Sequence, residues 1–478
     1  MAQEESTEVK QIQAYPAKRF FVEMLTKDIL LLDAVLDLID NSLDGAMRET
    51  NRAGKADIFN KYDGYHVDIS FDDKHFRIND NCGGIPRNVA INSAFRMGRP
   101  SSDIDADLPT VGVYGIGMKR SIFKMGRSCK ITSRTEDTTL IVNMSPEWMS
   151  DDHDWILPYQ ELDPTTDDVG TEILVENLIP GIKTSFSAGP GFINDLIDAT
   201  EVYYSSFIER GFSITINGHE IVPNADVLSI EENFDSKDEA ISPYVYVDNV
   251  DGVEISVMIG FYRSFASQEE EEKALRGNES KAKSSKAGIT IICNDRVVIH
   301  ADKTRMTGWG EAGVPSYHTQ FISITGVVKF QSTDPSKLPL TTTKRGIEGN
   351  SDLYLKVKER IREGLKLFTG FTNRWKTRED KEKLSIQTGK SKNIAPSELM
   401  TSIPASKWIS MRGEGNENAK KFVPNLPKPP RESTDRRISF SRPIEEIKII
   451  SEFYFENDSA SPQEVGERCF DEALRRAK

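Results

Sequence analysis

Apolar positions across residues 24–48 recur at helical spacing, and acidic positions fill the flank beside them. At about 100° per residue, Asp33, Asp37, Asp40, Asn41 and Asp44 fall within an arc of roughly 100°. Leu36, Ile39, Leu43 and Met47 occupy the neighbouring flank, with Val35 and Leu38 extending it. Like charges one turn apart repel by about 0.2–0.5 kcal/mol per pair, and aspartate is a mediocre helix former beyond the first turn. A solvated acidic face is one account of such a stripe. A helix that accepts both penalties also invites a cation.

The period then changes. His66–Phe71 and Phe76–Ile78 read as a hairpin around Asp72-Asp73-Lys74, followed by strand patterns over Cys129–Ser133, Thr139–Asn143 and Thr171–Glu176. Phe192–Glu209 is helical in pattern, and Phe212–Ile216 runs into the hairpin-type turn Asn217-Gly218. Helices interleaved with mostly antiparallel strands predict a two-layer α/β sandwich over residues 1–225. A second α/β unit, 226–375, carries strand patterns at Tyr244–Val247, Glu254–Tyr262, Gly288–Cys293, Arg296–Ile299 and Phe321–Phe330, closed by a helix over Asp352–Phe368. Gln268–Lys286 reads as a charged surface insertion.

From residue 376 the periodicity fades, and between Arg374 and Arg442 basic residues outnumber acidic ones two to one. Residues 376–443 are therefore expected to be a basic flexible linker, partly disordered. Residues 444–478 recover a pattern: Ile444–Phe455 is apolar-rich, and Ser461-Pro462-Gln463-Glu464 has capping-box spacing ahead of a short helix.

Composition changes this picture little. The chain has 478 residues, enough for several domains, with 37% hydrophobic and 28% charged residues and a net charge of −14. That charge counts against a generally basic nucleic-acid binder without excluding a local patch. Cys82, Cys129, Cys293 and Cys469 stand far apart, which argues against disulfides or a zinc site and favours a reducing cytosol. No apolar run approaches the length of about 18 residues that a membrane span needs. The polar, acidic start is unlike a targeting peptide. A cytoplasmic protein without membrane contact is expected. The six histidines show no metal spacing.

Two glycine-rich segments carry the candidate chemistry. In Ile78-Asn79-Asp80-Asn81-Cys82-Gly83-Gly84-Ile85-Pro86, an aspartate leaves a strand into a turn. A buried carboxylate there can accept from an exocyclic amine such as adenine N6, and an ordinary Asx-turn is the alternative. In Val111-Gly112-Val113-Tyr114-Gly115-Ile116-Gly117-Met118-Lys119-Arg120, glycines precede a helix whose N-terminus can bind phosphate. Lys119 or Arg120 would add a charge. No strand directly precedes this loop, so it is not a dinucleotide-binding fingerprint, and the P-loop pattern is absent.

An Asp/Asn helix, Asp-x-x-Gly-Gly, Gly-x-x-Gly-x-Gly and Gly170-Thr171 before a strand together resemble the GHKL ATPases, the superfamily of gyrase B-type topoisomerases, HtpG-type chaperones, histidine kinases and MutL. The closest local similarity is to MORC-like and MutL-like members, through Leu38-Ile39-Asp40-Asn41-Ser42 and Tyr114-Gly115-Ile116-Gly117-Met118-Lys119. The resemblance covers residues 25–220. It extends more faintly to about 375 through Leu340-Thr341-Thr342-Thr343-Lys344-Arg345-Gly346.

This resemblance implies a Bergerat-type ATP-binding domain followed by a transducer-like domain, with ATP and Mg²⁺ as ligands. It makes Asn41 the Mg²⁺ ligand, Asp37 the general base and Asp80 the adenine reader, with Thr171 supporting the base. Gly112, Gly115 and Gly117 would form the lid over the phosphates, and Gly84, Met118 and Lys119 join the nucleotide-contacting set. Lys344 resembles the transducer lysine that touches the γ-phosphate. Two departures matter: Cys82 replaces a family glycine, shifting the turn onto Gly83 and Gly84, and Asp37 stands where glutamate is usual. A shortfall of about 1 Å at the attacking water costs on the order of 10²-fold in rate. The implied function is slow ATP hydrolysis coupled to an ATP-dependent homodimeric clamp acting on DNA or a partner protein. The alternatives are an HtpG-like chaperone or a non-enzymatic ATP-sensing scaffold.

Overall fold

A computed structural model of the chain describes residues 17–54, 61–96, 115–164, 169–263, 286–341, 344–375, 384, 388, 390–411, 418–429 and 438–478. The chain divides into two compact units, Met1–Pro429 and Pro430–Lys478. Both sheets lie in the first.

The acidic helix, α1 (Leu31–Arg52), starts later and ends later than its pattern predicts. The Thr26 hydroxyl donates back to the Val22 and Glu23 carbonyls, closing a separate helical turn over Phe20–Met24. Leu30 is then extended at ψ 155° and α1 begins afresh.

The first sheet comprises β1 (His66–Phe71), β2 (Phe76–Asp80), β3 (Gly126–Arg134), β4 (Thr139–Met144), β5 (Tyr159–Leu162), β6 (Gly170–Leu178), β7 (Ser213–Ile216) and β8 (His219–Glu220), in the order β5-β4-β3-β6-β2-β1-β7-β8. All pairs are antiparallel except β1 with β7. Alternate residues of β1 are buried, as a sheet covered on one face requires. Val35, Leu36, Ile39 and Leu43 of α1 pack on Ile69, Ile78, Ile131 and Ile173 of that face. Further helices share this core, among them α2 (Gly117–Met125) through Ile122 and Phe123, and α3 (Pro190–Tyr203) through Leu196.

The second sheet runs β13-β12-β14-β11-β10-β17-β16, with β9 (Leu228–Glu231) joining β11 to β15. Its centre is β10 (Tyr244–Val250), β11 (Val253–Phe261), β12 (Gly288–Cys293), β13 (Arg296–Asp302) and β14 (Ile324–Gln331). Here both faces are buried, so β11 and β12 are almost continuously apolar. One face packs on Tyr354, Val357, Ile361, Leu365 and Phe368 of the long helix α4 (Asp352–Arg374). The other face meets Leu228, Ile230, Ile394, Leu399, Ile403 and Phe422.

Those last four residues fall in the stretch expected to be a linker. Instead, β15 (Ser391–Ile394), β16 (Ile409–Ser410) and β17 (Lys420–Phe422) hydrogen-bond into the second sheet. Single apolar plugs, set among Lys, Ser and Pro, close the face without producing a periodic pattern.

In the second unit, α5 (Ile444–Phe455) and α6 (Pro462–Ala477) are joined by a turn in which Ser451 Oγ donates to the Asn457 carbonyl. Ser461 and Glu464 form the anticipated reciprocal capping box. Among the described residues, no helix is long and apolar enough to cross a membrane.

Candidate functional site

The end of β2, the start of β6 and one turn of α1 converge on Asp80. Its Oδ2 accepts from Ser42 Oγ at 2.7 Å, and its Oδ1 accepts from the backbone N–H of Cys82 at 3.0 Å and of Thr171 at 3.1 Å. Burial raises the carboxyl's pKa, and these three donors only partly offset it. An ionised carboxylate has about four lone-pair sites, so one remains for a ligand N–H.

The turn after Asp80 is left-handed at Gly83 (φ +86°) and Gly84 (φ +70°), with Cys82 buried ahead of them. A Cβ on Gly84 would lie 2.3 Å from the Arg134 carbonyl oxygen, so only glycine fits there. Gly83 and Gly84 thus supply the left-handed positions of this turn.

Asn41 is exposed on the same helix as Ser42, and its side-chain amide has no hydrogen-bond partner among the described residues. One turn earlier, the acidic stripe is far from solvated. Asp37, Asp40 and Asp44 are all buried. The N-terminus of α2 comes so close that a Cβ on Gly117 would stand 3.3 Å from Asp37 Oδ2. No side chain caps that N-terminus. Arg120, one turn into α2, donates to Asp37 Oδ2 at 2.9 Å.

The remaining cations come from the second sheet region. Lys344 Nζ donates to Asp40 Oδ2 at 2.9 Å and lies 3.8 Å from Asp37 Oδ1. Arg296, the first residue of β13, donates through Nε to Asp40 Oδ1 at 2.7 Å and through Nη1 to the Lys344 carbonyl at 2.8 Å. The Tyr204 hydroxyl sits 2.9 Å from Asp40 Oδ1 and 2.8 Å from the Leu36 carbonyl. Arg345 pairs with Asp33 and with the Tyr203 hydroxyl. Burial alone would raise the Asp40 pKa; the Arg296 and Lys344 charges outweigh it and hold the group below the usual carboxylate range. Burial likewise opposes charge on Lys344, and Asp40 and Asp37 more than reverse it.

Three predicted residues stand apart from this cluster or outside the described residues. Lys119 is buried, with Nζ donating to the carbonyls of Ala94 (2.8 Å) and Gly115, and burial pushes its pKa down to about 8. Met118 packs against the first core. Gly112 lies outside the described residues, and Gly115 is left-handed at φ +67°. Beside Lys119 opens a cavity of about 300 Å³ walled by Ile91, Phe95, Leu140, Val142, Trp148 and Trp155; Asp37, Asn41 and Asp80 are not among its walls.

Sequence reasoning missed Arg296 and Tyr204. A lone arginine opening the apolar run Arg296-Val-Val-Ile299 was the available signal, because an inward-facing guanidinium demands a buried acid.

Residues 30–173 match the family model described as histidine kinase-, DNA gyrase B-, and HSP90-like ATPase. The match supports the GHKL superfamily. It spans α1, the Asp80 turn, the glycines before α2 and Thr171, and it supports ATP binding. No curated protein matches this chain.

Proposed function

We propose that this protein binds Mg²⁺-ATP between α1, the Asp80 turn and the N-terminus of α2, hydrolyses it slowly, and uses the nucleotide to set the relation between its two sheets. The observation that carries this reading is Lys344, a residue beyond the matched segment whose ammonium reaches Asp37 and Asp40 on α1. A nucleotide at α1 would therefore be felt directly by the second sheet.

The residues present fit the ligand. Asp80 keeps one acceptor position beside a glycine turn that lets a flat base approach. Asn41 is exposed on the acidic helix with its amide uncommitted among the described residues. The uncapped N-terminus of α2 offers backbone N–H groups to phosphate. Among the described residues, no group of three His, Cys, Asp or Glu is placed to hold a metal. Mg²⁺ would be held by Asn41, water and phosphate oxygens. The bound ion would neutralise phosphate charge. The Asp37 carboxylate is the base that would take the proton from an attacking water, with Lys344 balancing charge at the terminal phosphate.

The clamp reading, in which two copies close on ATP and act on DNA or a partner protein, draws on the resemblance to MORC-like and MutL-like members. A second reading, a nucleotide sensor with little turnover, is favoured by one contact: Asp37 Oδ2 is already engaged by Arg120. Calorimetric titration with Mg²⁺-ATP tests the shared core of both. Saturable binding that Asn41→Ala and Asp80→Asn each abolish is expected. Unaltered binding in both variants would overturn the placement.

A further inference from the structure

Asp40 is fully buried, yet two cations from different segments share it. Their freedom differs. Arg296 is pinned at two points, Asp40 Oδ1 and the Lys344 carbonyl, and is flanked by the rings of Tyr203 and Tyr204 at 5.8 and 5.6 Å. Lys344 holds Asp40 only through the end of a flexible stem, while its backbone is fixed at φ +55° by the Arg296 bond to its carbonyl and its own N–H bond to the Thr341 carbonyl.

If Lys344 were the sole counterion of Asp40, moving its ammonium away would strand a buried carboxylate. With Arg296 and Tyr204 already on Oδ1, Asp40 stays paired when Lys344 leaves. We propose that Arg296 is a positioning residue that makes Lys344 exchangeable, so that its ammonium can pass from Asp40 to the terminal phosphate of a bound nucleotide. This rests on the nucleotide reading above. It adds that Asp40 is the resting place of Lys344 and that Arg296 sets how readily Lys344 departs.

The measurement is the ratio of ATP to ADP affinity, which isolates the terminal phosphate and which a merely structural residue would leave unmoved. The wild type is expected to prefer ATP, and Lys344→Ala to lose about tenfold of that preference, as for one charge-assisted hydrogen bond. Arg296→Met, by leaving Lys344 as the only counterion, is expected to fall to the Lys344→Ala level. Adding Asp40→Asn to Arg296→Met removes the trap and is expected to restore the preference to within about threefold of wild type, since a neutral amide holds an ammonium far less firmly.

Should Arg296→Met not fold alone, Arg296→Lys keeps Asp40 paired and is expected to keep the preference; a loss equal to that of Lys344→Ala would overturn the inference. So would a wild-type ratio in Arg296→Met, or no recovery in the double variant. A wild type that binds no ATP, or a Lys344→Ala variant with its preference intact, would instead sink the nucleotide reading and this inference with it.

Discussion

Lys344 and Asp40 stand 304 residues apart in sequence, and their charged groups meet at 2.9 Å in a buried cluster. The acidic stripe on α1 is therefore one half of an ion-paired interface within the first unit. Its i+4 and i+7 repulsions are answered by Arg120, Arg296, Lys344 and Arg345. Those penalties, read locally, were a demand for distant cations.

Removing Asp40 should expose that demand. Asp40→Ala leaves Arg296 and Lys344 buried without their shared acid, and breaking a buried pair from one side costs about 3–5 kcal/mol. Asp40→Asn keeps the shape and hydrogen bonds and is expected to cost less. Chemical denaturation of the two variants measures the difference; an Asp40→Ala midpoint equal to wild type would mean that the pairs contribute no net stability.

Asp37→Asn separates binding from turnover. The amide can neither accept a proton from water nor pair fully with Arg120, so phosphate release is expected to fall by about 10²–10⁴-fold. ATP affinity should stay within a few-fold. Phosphate release at saturating ATP gives the answer, and unchanged turnover would assign water activation to another group.

The legible parts of this chain were those where one element carries its own signal. The acidic helix, the hairpin ending at Asp80 and the capped terminal helix declare themselves through period, turn chemistry and the Ser461–Glu464 spacing. The start of α1 was misplaced because the extended Leu30 separates the turn at Phe20–Met24 from the helix proper, a backbone break that apolar spacing does not register. Strands at Ser391–Ile394 and Lys420–Phe422 were invisible because Ile394 and Phe422 are isolated plugs whose strand partners, Leu228 and Val245, lie far upstream. Met118 sat within a glycine-rich motif, yet its side chain serves the core. The Arg296–Asp40 pair is a tertiary fact, hinted at only by an arginine where the strand pattern called for an aliphatic residue.

The Asp80 turn makes a steric prediction. Gly84→Ala places a methyl group 2.3 Å from the Arg134 carbonyl in a left-handed backbone, so the turn and β3 must separate. Gly54 is also left-handed, at φ +67°, but opens onto free space among the described residues. Gly54→Ala is expected to cost only about 1 kcal/mol of backbone strain. Gly84→Ala should cost several times more and weaken ATP binding, since Asp80 and the turn move together. Thermal unfolding of the pair is the check, and equal melting temperatures would show that the turn yields easily.

Lys119 predicts how stability depends on pH. Burial lowers its pKa from 10.5 to about 8 in the folded protein, whereas the unfolded chain keeps the ordinary value. Between those limits the unfolded state binds more protons, so folding stability rises with pH from about 8 to about 10.5. Below pH 8 the folded protein carries the full cost of a buried ammonium, on the order of 3 kcal/mol at most. That cost is relieved as the proton leaves, and the neutral amine still donates to the Ala94 and Gly115 carbonyls. Other groups titrate in the same range, so the informative quantity is the difference between wild type and Lys119→Met, which has nothing to deprotonate. Denaturation midpoints at pH 7 and pH 10 should show wild type gaining on the variant as pH rises. A constant difference would mean that Lys119 keeps its proton throughout, with the two carbonyls holding the charge more firmly than burial opposes it.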